Sequence, residues 1–146
     1  MGMTTNSIER QLTVLLRRGN RVHLFTEHGD IALDRSAYGI LCQLADEGPQ
    51  RLGALASAFQ LDPSTITRQV QPLVEKGLTV RRTDPKDGRA YILDLTASGR
   101  EVLERTRGER RARLQGALED WSEADLADFS RLLKEFNASV DRLTES

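Results

Sequence analysis

The sequence predicts a mainly α-helical fold carrying one small β-hairpin, on three observations. Apolar residues recur at helical spacing along successive stretches up to Gly77, the period changes to two between Leu78 and Leu95, and helical spacing returns from Thr96 onward. At 146 residues, 38% apolar and 29% charged, the chain has the size of one domain and the composition of a folded globular protein. Its longest apolar run, Ala90 to Leu93, falls far short of the roughly 18 residues of a membrane span. The first six residues lack the basic and apolar regions of a secretory signal, so a cytoplasmic location is expected. A single cysteine, Cys42, excludes an internal disulfide and a CxxC-type zinc site.

Ile8, Leu12, Leu15, Leu16, Gly19 and Val22 form the apolar stripe of a first amphipathic helix, with Arg10, Arg17, Arg18 and Arg21 between them. Asp34 is suited to cap a second helix, Leu33 and Tyr38 stand at the spacing of a hydrophobic staple, and Gly48-Pro49 ends it near Glu47. A short third helix places Leu52, Leu55, Ala56 and Phe59 on one face and breaks at Gln60-Leu61-Asp62. Asp62 as cap and Pro63 at the first position, where a missing N–H costs nothing, start a fourth helix. That helix turns Ile66, Val70, Leu73 and Val74 inward and ends at Gly77, a residue suited to the left-handed position.

Beyond Gly77, Leu78 to Thr83 and Ala90 to Leu95 read as strands around a charged turn, Asp84 to Arg89, in which Asp87-Gly88 supplies positive-φ chemistry. Thr96 then caps a long, Glu- and Arg-rich helix reaching about Asp120. Ser122-x-x-Asp125 opens a last helix striped with Phe129, Leu132, Leu133, Phe136, Val140 and Leu143. Three regions follow from this pattern: 1–33, a helix and connector; 34–95, a compact lobe; and 96–146, the C-terminal helices. The net charge of −1 is unevenly spread. Residues 51–90 hold seven basic side chains against four acidic ones, whereas the parts on either side are net negative.

Helix, helix, strand, strand with a basic hairpin is the pattern of a winged helix-turn-helix, whose second helix enters the DNA major groove. At 100° per residue, Ser64, Arg68, Gln71 and Glu75 point away from the apolar stripe of the fourth helix, with Thr65 and Thr67 on the flanks. Hydroxyls suit phosphate oxygens, while arginine and glutamine suit guanine and adenine edges. Any exposed helix could carry such side chains. Two features favour a nucleic-acid face: threonine is a poor helix former where lysine or glutamate would serve, and Arg81, Arg82, Lys86 and Arg89 outnumber Asp84 and Asp87 in the hairpin.

Four stretches resemble the MarR family of bacterial transcriptional regulators: Leu61-Asp62-Pro63-Ser64-Thr65-Ile66-Thr67-Arg68, Leu73-Val74-Glu75-Lys76-Gly77-Leu78, Arg81 through Ala90, and Leu95-Thr96-x-x-Gly99. The resemblance covers nearly the whole chain. It implies that Ser64, Thr65, Thr67, Arg68 and Gln71 face double-stranded DNA, together with the wing cations Arg81, Arg82, Lys86 and Arg89. Arg89 is similar to the family's minor-groove arginine, Asp84 to the residue that holds it, and Gly88 belongs with the wing's support. Pro72 departs from an ideal recognition helix by removing a backbone donor, and a bend in the last turns is expected. A homodimer built from the first and last two helices is also implied, in keeping with stripes too apolar for lone terminal helices. So is a repressor released by a small aromatic or organic-acid effector, for which His23, Phe25, Tyr38 and Cys42 are the candidate pocket residues.

An enzyme is not expected. His23 and His28 miss the i, i+4 spacing that binds zinc on one helix face, nothing organises them with Cys42, and no metal or cofactor is implied. Two other readings stand beside the DNA-binding one: a winged helix that serves a protein partner, and a redox-sensing regulator working through Cys42.

Overall fold

The computed structural model describes residues 2–18 and 35–145. In chain order the elements are α1 (Gly2–Arg18), α2 (Arg35–Glu47), β1 (Gln50–Arg51), α3 (Leu52–Phe59), α4 (Pro63–Glu75), β2 (Thr79–Asp84), β3 (Asp87–Leu95), α5 (Ala97–Ala117) and α6 (Glu123–Thr144). The mainly α fold with a small sheet is the predicted class. The Asp34 cap, the Leu33 staple and the Gly19 and Val22 positions of the first helix's stripe lie outside the described residues. Two compact units divide the chain, residues 1–111 and 112–146.

In the first unit one core is assembled from Ile40, Leu41 and Leu44 of α2, Leu55 and Ala56 of α3, Ile66, Val70 and Leu73 of α4, Leu78, Leu93 and Leu95 around the sheet, and Val102 and Leu103 of α5. The lobe therefore continues past residue 95 into α5. Its helix ends follow local chemistry. Gly48 is left-handed at φ 83° after α2, and its amide donates to Leu44 O at 2.9 Å. Gln60 takes the same region at φ 52°, and Leu61 N–H closes back on Ala56 O at 2.9 Å, which makes the connection to α4 tight. Asp62 caps α4 by accepting Thr65 N–H, with Pro63 at the first position. The helix runs unbroken through Pro72 to Glu75, and Gly77 follows at φ 73°.

The sheet is antiparallel in the order β1-β3-β2. Strand β1 was not expected: its two residues have no readable period, and it exists through its pairing of Gln50 with Leu93 and Arg51 with Ile92. The hairpin also corrects the expected turn. The strands extend to Asp84 and from Asp87, so only Pro85 and Lys86 connect them, and Gly88 is a strand residue without left-handed φ. Proline fixes φ at the first turn position, and the Asp84 carboxylate accepts Lys86 N–H at 2.9 Å, so no positive-φ residue is required. Pairing jumps from Thr83↔Tyr91 to Asp84↔Asp87, leaving Gly88, Arg89 and Ala90 as a bulge on β3.

Thr96 joins the hairpin to α5. Its hydroxyl donates to Gly77 O at 2.6 Å and accepts Gly99 N–H at 2.9 Å, while its own amide donates to Leu78 O at 3.1 Å. In the second unit Ser122 caps α6 by accepting Asp125 N–H at 3.1 Å, and Trp121 meets Phe129 edge to face at 5.3 Å. No residue of α6 is buried within the chain: Phe129, Leu132, Leu133, Phe136 and Val140 are all exposed on their apolar stripe. Helix α1 likewise has no buried residue and leaves Ile8, Leu15 and Leu16 exposed.

Candidate nucleic-acid interface

The outward face of α4 is set by the burial of Ile66, Val70 and Leu73 on its other side. Ser64, Thr67, Arg68, Gln71 and Glu75 are exposed and Thr65 is half-buried. Their polar groups are already engaged with one another. Asp62 accepts from the Ser64 hydroxyl, the Thr65 amide and the Thr65 hydroxyl, and these bonds, the Ser64 one foremost, hold its carboxyl well below the usual range. Thr67 donates to Pro63 O at 2.8 Å, Arg68 Nη2 reaches Thr65 Oγ1 at 3.4 Å, and Gln71 Nε2 donates to Glu75 Oε1 at 3.2 Å. These bonds account for threonine in the first turns of a helix, a second reason beside phosphate affinity. At the start of α4 the Asp62 carboxylate thus occupies the Thr65 amide, while Thr67, Arg68 and Gln71 stand exposed further along the same helix.

On the wing, Arg81, Arg82, Lys86 and Arg89 are all exposed. Arg82 Nε lies 3.8 Å from Asp94 Oδ2. Among the described residues no ion pair or hydrogen bond engages the guanidinium of Arg81 or of Arg89, and Arg89 stands exposed within the β3 bulge. The expected holding of Arg89 by Asp84 is not the contact formed. Asp84 Oδ2 instead accepts from Arg51 Nε at 2.8 Å, a pairing across the sheet that sequence spacing does not reveal because 33 residues separate the partners. The Lys86 amide and then Arg51 lower the Asp84 pKa. Gly88 has open space where a Cβ would stand, so neither crowding nor backbone angle calls for glycine there.

Of the candidate pocket residues, His23 and Phe25 lie outside the described residues. Tyr38 and Cys42, one turn apart on α2, both line a cavity of about 700 Å³ with Phe59, Leu61, Gln69 and Arg110. The Arg110 guanidinium stacks over the Tyr38 ring at 4.1 Å. Burial, followed by the neighbouring Cys42 thiol, raises the phenol above its usual pKa. Among the described residues no group of three or more His, Cys, Asp or Glu could hold a metal ion, and no helix is long and apolar enough to cross a membrane.

A tight α3–turn–α4 unit followed by a two-stranded wing, all on one core, defines a winged helix-turn-helix protein. The MarR family model matches residues 33–91. Over 131 residues the chain is 37% identical to the uncharacterised HTH-type transcriptional regulator YxaD of Bacillus subtilis, covering 89% of this chain and 90% of that one. It is 32% identical over 104 residues to the HTH-type transcriptional repressor NicR of Pseudomonas putida, covering 69% and 66%. A MarR family protein from Bacillus stearothermophilus has the same fold, with a TM-score of 0.78 at 22% identity over 97% of this chain and 98% of that one. The chain belongs to the MarR family.

Proposed function

We propose that this protein is a sequence-specific DNA-binding transcriptional regulator without enzymatic activity, a repressor that binds a pseudo-palindromic operator as a homodimer. The observation that carries this reading is the presence, on one folded lobe, of an outward α4 face bearing Thr67, Arg68 and Gln71 and a wing whose Arg81 and Arg89 are unpaired among the described residues. One element offers hydrogen-bonding groups to base edges and the other offers charge to phosphates or a narrow minor groove. The relatives, transcriptional regulators and in the case of NicR a repressor, support the regulatory role and its sign. Footprinting of the DNA beside the protein's own gene, with affinity measured against salt, tests the reading. Half-sites centred about 10 base pairs apart and a steep fall of affinity with salt are expected.

Reading and docking separate by substitution. Arg68→Ala is expected to lose about 1–3 kcal/mol of discrimination at one base step. Arg89→Ala is expected to weaken binding to every sequence and to flatten the salt dependence, with a smaller loss of preference at A/T-rich flanks. A randomised duplex library scored with both variants measures this, and identical profiles would remove the assignment of the two arginines to different tasks.

The cavity beside Tyr38 is the place proposed for an effector. Aromatic walls and a guanidinium suit a small aromatic acid. A ligand that loosens DNA binding tenfold must favour the DNA-free form by about 1.4 kcal/mol, and operator DNA must weaken that ligand by the same factor. Thermal-shift titration of small aromatic acids with and without operator checks this reciprocity. Hits indifferent both to DNA and to Tyr38→Ala count against the pocket.

A further inference from the structure

The geometry points to Arg51 as a positioning residue for DNA binding, one that fixes the wing tip over the helix-turn-helix by tying β1 to the hairpin's Asp84. The inference rests on the DNA-binding reading above. It starts from the shortness of β1. Only Gln50 and Arg51 pair with β3, opposite Leu93 and Ile92, so the backbone ladder of the third strand stops well short of the turn. The tip does not rest on packed side chains either: Arg51, Ala54, Asp84, Pro85, Lys86 and Ile92 are among the residues lining a hollow of about 460 Å³.

Across this gap the Arg51 side chain makes the connection. Its Nε donates to Asp84 Oδ2 at 2.8 Å, and its Nη2 lies 3.8 Å from Asp87 Oδ2, so it addresses the carboxylates on both sides of the turn. Asp84 is largely buried and divides its two oxygens: Oδ2 accepts from Arg51, and Oδ1 accepts from the Lys86 amide that shapes the turn. The backbone of Arg51 is at the same time the N-terminal cap position of α3. One residue thus joins the first helix of the helix-turn-helix to the tip of the wing, and the carboxylates that would repel a phosphate backbone are turned toward its guanidinium.

The arrangement makes a prediction opposite in sign to simple charge counting. Asp84→Asn keeps an oxygen for the Lys86 amide, loses the acceptor for Arg51, and removes a negative charge near the DNA. By charge alone it should tighten binding; by positioning it should weaken binding. We expect Arg51→Met and Asp84→Asn each to reduce affinity about twofold to fivefold on all duplexes, as befits a half-exposed ion pair. The double variant should be no worse than the weaker single one, since both break one contact. The thermal midpoint should stay close to that of the unaltered protein, because the buried core is untouched.

Tighter binding by Asp84→Asn, or a salt slope lowered only by Arg51→Met, would make Arg51 a direct phosphate contact and overturn the proposal. Hydrogen exchange on the DNA-free protein provides an arm independent of any operator. Both single variants should speed exchange of the amides from Lys86 to Tyr91 about tenfold while leaving those of Val80 and Leu93 unchanged. Unchanged exchange at the tip would overturn the positioning role even where DNA binds. Faster exchange in a protein that binds no duplex would uphold the tie and remove the DNA-binding reading instead.

Discussion

Gly99→Ala is expected to cost about 3 kcal/mol or more of stability, because the added methyl group overlaps backbone that cannot yield locally. A Cβ at this position would stand 2.0 Å from Leu78 O, 3.0 Å from Leu78 C and 3.3 Å from Leu95 Cδ2. Leu78 cannot step aside alone. Its carbonyl accepts Thr96 N–H, its own amide donates to Leu73 O, and its side chain is buried in the core. Relief of the overlap therefore means prying the start of α5 from the junction of α4 and β2, with the two Thr96 hydroxyl bonds that bind this corner. Gly53→Ala is the control. Gly53 is helical and nothing lies within 4 Å of its notional Cβ, so the same change should be neutral or stabilise by up to about 0.5–1 kcal/mol. Chemical denaturation of the two variants measures both effects. A Gly99→Ala protein as stable as its parent would mean that the α5 corner is not rigid.

That corner illustrates what the sequence could and could not convey. The Leu95-Thr96-x-x-Gly99 pattern was legible as a family resemblance, but its cause is a close helix-to-backbone approach visible only once α5 and Leu78 are brought together. Local signals suffice where the chemistry is local. Asp62 and Pro63 start α4, Ser122 starts α6, and Gly77 follows the end of α4, as capping rules require. Signals failed where a distant partner decides. Strand β1 has no pattern of its own and depends on β3. Asp84 has an arginine five residues away in sequence, yet pairs with one on another strand. The turn departs from its sequence pattern for a different reason: Asp87-Gly88 is a strong hairpin signal, but Pro85 beside an aspartate that caps its own turn forms the connection two residues earlier.

Leu132→Glu with Phe136→Glu is expected to convert a dimer to a monomer and to lower operator affinity by about two to four orders of magnitude. Both side chains are about half exposed in the single chain, at 52% and 43%. Within an isolated chain, replacing them with glutamate should therefore cost little, and glutamate is a good helix former, so α6 itself should persist. The outcome differs only if these faces are covered by a second copy. The stripe from Phe129 to Val140 on one unit, and Ile8, Leu15 and Leu16 of α1 on the other, are each exposed apolar faces that a monomer gains nothing by displaying. Pairing such faces buries the stripe, and four glutamates across a twofold contact then meet desolvation and mutual repulsion. Loss of the dimer turns one two-site binding event into two independent half-site events, which removes the effective-concentration gain while each half-site is bound as before. Sedimentation at micromolar concentration, combined with titration of a full operator and of one half-site, separates these effects. A double variant that sediments with the parent and binds the full operator unchanged would leave these apolar faces without a dimerisation role.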